Sequence, residues 1–191
     1  MVTTAPDVTT TSTSNGAVIW PDGVDPAAIV KAPLFRDLKA EQVAKFLSQG
    51  TPRTFEAGES IILEGNTDTD TFVILKGKVD IVKKLPPVLP GGQEGEKSIV
   101  QLTAPLMGIF AMGAPNMLAG LGRGTSVVAL EPCDTIVISK EAYEQHALED
   151  PVMGYFITRN IALEVINNLN ATNQRVVKLT QALTLALQKK S

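Results

Sequence analysis

The pattern of hydrophobic and polar positions is most regular between Phe55 and Val82, where short runs of β-branched and aromatic residues are separated by single glycines. Runs of this kind, bounded by Gly, Asn or Asp, are typical of β-strands joined by tight turns. The glycines Gly58, Gly65 and Gly77 supply the positive φ angle that other residues adopt only at a cost. The stretch therefore predicts a compact antiparallel β unit.

The same pattern along the rest of the chain predicts a mainly β protein with helices at both ends. Strands are expected at residues 53–55, 60–63, 71–75, 78–83, 98–103, 125–130 and 134–139, with lengths and spacing that suit a β-roll or jelly-roll sandwich. Pro26 at a first helical position predicts a helical turn at residues 25–30, and helical spacing of apolar residues predicts a helix at residues 40–48. Ser139 as a cap predicts a third short helix at residues 139–148. The fold class is therefore an antiparallel β-roll with short N-terminal helices and a long C-terminal helix.

The long helix is predicted to start at Asp150-Pro151 and to run to about Lys189 without an interior proline. Its apolar residues form a heptad seam: Ala162, Leu169, Val176 and Leu183 at one position, and Val165, Thr172, Leu179 and Ala186 at the other. A seam of this length indicates that another helix packs against it. Ile166 and Leu185 make the apolar face broader than a strict seam. The alternative to a partner helix is therefore that this helix packs along its own β-roll.

The remaining segments divide the chain into four parts. Residues 1–16 are rich in Thr and Ser and are expected to be a disordered lead-in. Residues 17–33 form an anchor segment, in which Trp20 either packs on the domain or contacts a partner. The β-roll covers residues 34–150 and the long helix residues 151–191. Prolines and glycines in residues 85–97 predict an exposed hairpin loop, either functional or a tolerated insertion.

The composition argues against nucleic-acid-binding, membrane-spanning and secreted proteins. A hydrophobic content of 44% with 19% charged residues fits a globular chain. The net charge of −3 provides no basic field for nucleic acid. No apolar run is long enough for a membrane span, and the N-terminus lacks the pattern of a signal peptide. With one cysteine there is no internal disulfide, so a cytoplasmic location is expected.

No constellation in the sequence indicates catalysis or a metal. Cys133 and His146 are the only residues of their kinds, and they are expected in the sandwich and at the end of a surface helix. Asp68 and Asp70 lack the Gly and Glu of a calcium loop and are expected in a solvated turn. No phosphate-binding glycine motif stands at a strand-to-helix junction. The chain is therefore expected not to be an enzyme.

The order of motifs resembles one known family. Leu34-Phe35, a short helix, FEAGESIILEG, an acidic turn and FVILKGKVDIV follow one another as in the cyclic-nucleotide-binding domain of the CRP/FNR and kinase-regulatory-subunit superfamily. The resemblance extends over about residues 33–189. It implies a β-roll, a homodimer formed through the long helix, and cAMP or cGMP as ligand. The DNA-reading helix-turn-helix of CRP/FNR proteins has no counterpart here, so a protein partner is expected instead.

The superfamily holds the cyclic phosphate in a cassette resembling F-G-E-x-A-L-L, a short helix and P-R-x-A-T-V. The Glu accepts from the ribose 2′-OH, and the Arg and backbone N–H groups bind the phosphate. Matching RGTSVVALEPCDTIVIS from its C-terminal side implies that Arg123, followed by Gly124 and Thr125, binds the phosphate. Gly113-Ala114 then stands for G-E, so that Ala114 replaces the carboxylate.

A second alignment starts from Gly108 and places Ile109 at the Glu position and Asn116 at the Arg position. Both alignments lose the carboxylate. A charge-assisted hydrogen bond contributes roughly 1.5–3 kcal/mol, so nucleotide binding is expected to be weakened by about ten- to a hundredfold. In the family a residue of the long helix also contacts the base, and Thr172 or Asn173 is the candidate.

Two functions follow from these observations. The first is a regulatory protein in which a cyclic nucleotide at Arg123 shifts the long helix and changes a protein interface. The second is a ligand-free scaffold or assembly subunit, in which the Met- and Leu-rich segment around Met117 and Leu118 fills the former pocket.

Overall fold

In the computed structural model, which describes residues 18–87 and 95–188, seven antiparallel strands form two sheets that share one long strand. The strands are β1 (Thr51–Phe55), β2 (Ser60–Ile62), β3 (Thr71–Leu85), β4 (Gly95–Ala104), β5 (Phe110–Met112), β6 (Ser126–Ala129) and β7 (Cys133–Ile138). The first half of β3 pairs with β5 and β7, and β7 pairs with β1. Its second half pairs with β4 and β6, and β6 pairs with β2. The predicted β-roll is confirmed.

Strand β3 is continuous where the sequence predicted two strands and a turn at Gly77. Gly77 has a φ of 110° and lies where β3 leaves one sheet and enters the other. A Cβ atom at this position would lie 2.5 Å from the Cys133 Sγ and 2.6 Å from the Pro132 carbonyl oxygen. The prediction of a turn is therefore wrong, but the glycine is required because β3 bends against the chain at Pro132.

Replacing Gly77 by alanine is expected to destabilise the protein by about 3 kcal/mol or more, since it adds both a strained φ and overpacking. Gly95→Ala is the matched control, because a Cβ at Gly95 meets no atom within 4 Å. Urea unfolding followed by circular dichroism measures both variants. Equal midpoints for Gly77→Ala and Gly95→Ala would contradict the packing seen at this bend.

The helices are α1 (Pro26–Ile29), α2 (Ala40–Leu47), α3 (Ala114–Ala119), α4 (Lys140–Glu149) and α5 (Pro151–Gln188), with a 3₁₀ helix at Pro33–Phe35. The predicted helices α1, α2, α4 and α5 are confirmed. Asp25 Oδ1 accepts from the Ala27 amide at 2.9 Å and caps α1. Ser139 Oγ accepts from the Ala142 amide at 3.1 Å and caps α4. The hydrophobic pattern did not predict β5, α3 or the 3₁₀ helix.

The buried side chains form two clusters, one on each face of the sheet that contains β1, β7, β5 and the first half of β3. One cluster lies between the two sheets and includes Phe55, Phe72 and Cys133. The other joins the helices to the roll and includes Phe46, Met117 and Ile157. Trp20 is half-buried against this second cluster, as expected for a packing anchor. The helices therefore cover only one outer face of the roll.

The predicted hairpin loop is shorter than expected. Strand β3 continues to Leu85 and β4 begins at Gly95, and these two residues are ladder partners. The proline and glycine content predicted a loop from residue 85 onwards, but backbone pairing between β3 and β4 extends both strands into that segment. The part of that prediction that concerns residues 88–94, and the lead-in predicted for residues 1–16, lie outside the described residues.

Helix α5 contacts the rest of the chain mainly through its first turns, where Met153, Ile157 and Ile161 are at most 1% exposed. Every residue from 165 to 188 is exposed, including Leu169 at 57% and Leu179 at 69%. The alternative in which the whole helix lies on its own β-roll is therefore wrong. The apolar seam has no covering element in the described chain.

Candidate functional site

Arg123 lies in the short connection between α3 and β6, and its backbone is fixed by the turn that follows β2. The Arg123 amide donates to the Asn66 carbonyl at 2.7 Å, and the Gly65 amide donates to the Arg123 carbonyl at 2.9 Å. Two backbone bonds to one turn leave this residue little freedom. Its side chain therefore leaves the backbone at a defined position and direction.

The guanidinium of Arg123 is only 1% exposed and is bound on three sides. Nε donates to Asp68 Oδ1 at 3.0 Å, and Nη2 donates to the same oxygen. Nη2 also donates to the Asp70 carbonyl at 2.6 Å, and Nη1 donates to the Gly113 carbonyl at 3.2 Å. An arginine has five N–H donors. The site therefore leaves a single Nη1 hydrogen unused.

Gly113 and Ala114 join β5 to α3 directly beside this guanidinium. Gly113 has a φ of 83°, and a Cβ there would collide with Arg123 Nη1. Ala114 is the first residue of α3 and is fully buried. The residue at the position of the expected carboxylate is thus a packed methyl group, and no acidic side chain is supplied from this junction.

A cavity of about 170 Å³ opens beside Arg123. Its lining residues are Arg123, Gly124, Thr125, Gly113, Pro115 and Asn116, together with the apolar residues Ile62, Ile81, Met112 and Val127. Met117 does not line it, because its side chain is 1% exposed within the helix-side core and its Sδ lies 3.6 Å from Thr71 Oγ1. Leu118 points elsewhere and is 38% exposed.

The structure brings together four of the six residues expected at the ligand site: Arg123, Gly113, Gly124 and Thr125. Ala114 lies behind them in the core. In the second alignment, Ile109 is 3% exposed in the core, and Asn116 lines the cavity while its Nδ2 donates to the Leu121 carbonyl. The geometry around Gly113 thus corresponds to the alignment that pairs Gly113-Ala114 with Arg123.

Thr172, the sixth residue, is exposed on α5, and its hydroxyl donates to the Asn168 carbonyl at 2.8 Å. It lines neither cavity near Arg123. The part of α5 that faces the roll instead presents Asn160, Glu164, Asn167 and Asn168 to a second cavity of about 320 Å³. Their spacing of four, seven and eight residues marks one helix face, which is the signal that sequence reasoning missed.

The two cavities are neighbours, because Met112 at the end of β5 lines both of them. One is bounded by the Arg123 segment and the other by α5. Met112 is therefore the residue that separates the Arg123 segment from the α5 side of the roll.

The charges around Arg123 are mostly paired. Lys83 Nζ donates to Glu64 Oε1 at 2.5 Å and to the Gly124 carbonyl at 2.6 Å. This bond from Lys83, followed by one from the Lys84 amide, lowers the pKa of Glu64. Burial, and then the nearby Asp68, raises the pKa of Asp70, while Arg123 opposes the shift. The guanidinium is therefore surrounded by acceptors rather than by further free cations.

Asp68 is a residue of the candidate site that sequence reasoning assigned to a solvated turn. It is exposed in the turn that follows β2, as expected, but its carboxylate is also the acceptor for two donors of Arg123, and that contact was not predicted. His146 was expected at the surface and is 2% exposed, packed near Phe46. Cys133 is buried between the sheets as predicted. Among the described residues, no group of His, Cys, Asp and Glu side chains is arranged to hold a metal ion.

The described chain has no helix that is both long and apolar enough to span a membrane. The cellular location expected from the sequence stays a prediction.

Comparison with known families gives one match. The sequence model of the family described as the cyclic nucleotide-binding domain matches residues 52–150. This range contains Arg123, the strands β2 to β7, and β1 except for its first residue. A search of curated proteins finds no significant match.

Solved structures show the same fold. The catabolite activator protein of Thermus thermophilus has 24% identity and a TM-score of 0.64, over 78% of this chain and 63% of that one. The regulatory domain of Toxoplasma gondii PKA, co-crystallised with cAMP, has 16% identity and a TM-score of 0.51, over 63% and 42%. The regulatory subunit of a cAMP-independent protein kinase A from Trypanosoma brucei has 20% identity and a TM-score of 0.51, over 63% and 41%. This chain thus spans less than two thirds of each of these proteins.

Proposed function

Because the chain belongs to the cyclic nucleotide-binding domain family, we propose that it is a non-enzymatic regulatory module that binds a cyclic nucleotide at Arg123 and acts through protein contacts. The observation that carries this proposal is the cavity lined by Arg123, Gly124 and Thr125, which Met117 and Leu118 leave open. A phosphate there has the unused Nη1 hydrogen and the Thr125 hydroxyl as donors. cAMP and cGMP are the candidate ligands.

A phosphate bound at the free Nη1 hydrogen competes with the Asp68 carboxylate for the charge of Arg123. Asp68 is 39% exposed and holds the guanidinium from the solvent side, so its carboxylate can turn into water when a phosphate arrives. The phosphate then replaces the carboxylate as the charged acceptor, and the net gain is small. Together with the carboxylate missing at Ala114, this exchange supports an affinity well below that of a cassette with both groups.

The output of the module is assigned to α5. The cavity beside Arg123 and the cavity beside α5 share Met112, so a ligand that spans both changes the packing of the helix on the roll. The exposed seam of α5 is proposed to form a homodimer with a second copy of the chain. A shift of this helix then alters the surface offered to a further protein partner.

A ligand-free scaffold is the second candidate, and one observation favours it. Arg123 already donates four hydrogen bonds within the chain, which is a satisfied structural arrangement without any ligand. The kinase regulatory subunit from Trypanosoma brucei, described as cAMP-independent, has the same fold. In this alternative the roll positions α5 and the β3–β4 hairpin as contact surfaces.

Titration calorimetry with cAMP and cGMP tests the proposal. The wild-type protein is expected to bind at least one of them in the micromolar range, and Asp68→Asn is expected to bind about tenfold more tightly because it frees the charge of Arg123. Asp37→Asn is the matched control, since Asp37 also pairs with an arginine, Arg159, but outside the cavity. No heat with either nucleotide, for the wild type and for Asp68→Asn, would overturn the proposal and favour the scaffold.

A further inference from the structure

The exposed part of helix α5 has a wider apolar surface than its heptad seam. Beside the seam lie Ile166, Val177 and Leu187, which are 51%, 56% and 61% exposed and are called the flank from here on. The flank residues are separated by eleven and ten positions, which is about three helical turns each time. Their side chains therefore lie on the same side of the helix, next to the seam.

A pair of α5 helices would not bury this flank. In the heptad that places Ala162 at position a, Ile166 and Leu187 occupy position e and Val177 occupies position b. A two-helix coiled coil buries the side chains at a and d, which form a narrow stripe. An apolar face that includes e as well is typical of helices in a bundle, where each helix has more than one neighbour. A dimer formed through the seam would thus leave an apolar stripe on each of its helices.

The positions at the edge of the seam lack the charges that are common in two-helix coiled coils. Positions e and g often carry Glu and Lys, which form salt bridges between the two helices. Among the e and g positions from residue 161 to residue 187, only Arg175 is charged. No acidic residue stands between residues 165 and 188, so two copies of this segment have no salt bridge to form. Nothing at these edges favours a pair over a larger assembly.

The residues inside the seam favour more than two helices. Two of the four a positions hold leucine, Leu169 and Leu183, and two of the four d positions hold the β-branched Val165 and Thr172. Leucine at a with a β-branched residue at d shifts coiled coils towards larger oligomers, whereas a β-branched residue at a favours two strands. Val176 is the only a position of the second kind. The balance of these positions is therefore on the side of a bundle.

The occupant that fits the flank is a second pair of α5 helices. The side of the helix that carries the seam and the flank has no charged residue, because Arg175 and Lys178 lie on the other side. Identical helices can therefore meet there without repulsion between like charges. A helix that lies on a membrane surface has a polar face rich in Lys and Arg, and residues 165–188 contain only these two cations.

We infer that two dimers of this chain associate through the flank into a tetramer, in which the exposed parts of four α5 helices form a bundle. The segment 165–188 rises about 36 Å at 1.5 Å per residue, which is long enough for several layers of side chains. This inference rests on the homodimer of the proposed function and names a partner for it, a second copy of the same dimer. A ligand that shifts α5 would then also change the packing between the copies.

Sedimentation equilibrium of the full chain between about 10 and about 300 micromolar tests the inference, because this range lies above a micromolar dissociation constant. The mass of the wild type is expected to rise from two chains to four. Ile166→Glu with Val177→Glu is expected to keep the mass of two chains throughout, since a charge on the flank would be buried without a partner. Ala171→Glu with Ala182→Glu is the matched control, because it adds the same charges at exposed positions on the other side of α5. This control is expected to reach the mass of four chains.

The outcomes distinguish the tetramer from the homodimer on which it rests. A wild type that stays a dimer at every concentration would overturn the tetramer and leave the homodimer intact. A tetramer that persists in Ile166→Glu with Val177→Glu, or that is lost equally in the control, would overturn the role of the flank. A monomeric wild type would contradict the homodimer, and the tetramer with it. A wild-type dimer that binds phosphatidylserine vesicles, when the flank variant does not, would assign the flank to an anionic lipid surface instead.

Discussion

Replacing Leu169 and Leu179 by aspartate is expected to convert the proposed homodimer into a monomer. These side chains are 57% and 69% exposed and belong to the two positions of the seam on α5. Burying a leucine contributes roughly 1.5–3 kcal/mol, so four leucines in a dimer contribute about 6–12 kcal/mol, which is the scale of a micromolar association. Aspartate at these positions would have to be buried as a charge without a partner.

A partner is also expected to stabilise the helix along residues 165–188, which are exposed, because most helical stability in proteins comes from packing of an apolar face. Sedimentation at about 10 micromolar, above a micromolar dissociation constant, measures the mass of each variant. Gln174→Asp with Gln181→Asp is the matched control, since these residues lie on the opposite face of α5 and are exposed. A monomeric wild type, or a dimer that survives both leucine substitutions, would contradict the assignment of the seam.

The strands of the roll could be predicted from the sequence because alternation, β-branched residues and glycine are local signals. These local signals gave wrong strand ends where backbone pairing between strands extends a strand beyond its apolar run. Gly77 has the positive φ of a turn residue, yet β3 stays paired through it on both sides. Likewise Leu85 and Gly95 pair across the hairpin despite the prolines beside them. A sequence pattern does not distinguish a bend within a ladder from the end of a strand.

The candidate site was predicted only in part, for a related reason. Arg123 and its neighbours Gly124 and Thr125 were identified through the family motif, which is continuous in sequence. The bond from Arg123 to Asp68 joins residues 55 positions apart, and nothing in the acidic turn marks that contact. Thr172 was assigned from the seam, but the face of α5 that meets the roll is set by how the helix packs on α4, the 3₁₀ helix and α3, which only the structure gives.

Replacing Arg123 by alanine is expected to destabilise the protein by about 3 kcal/mol or more. The substitution leaves the carbonyls of Gly113 and Asp70 without their donor and removes the cation from Asp68. Arg159→Ala is the matched control, because Arg159 is 39% exposed and pairs with an exposed Asp37, an arrangement that contributes at most about 1 kcal/mol. Urea unfolding of the ligand-free proteins measures both.

The two candidate functions predict different effects of a nucleotide on the melting temperature of the protein. If Arg123 binds the phosphate, saturating cGMP or cAMP raises the melting temperature of the wild type, since a ligand stabilises the state that binds it. Arg123→Lys keeps the charge but loses the planar fork, so it is expected to lose most of that increase.

An Arg123→Ala protein that is as stable in urea as Arg159→Ala would mean that the buried guanidinium adds nothing to the fold. Its internal bonds would then no longer favour the scaffold.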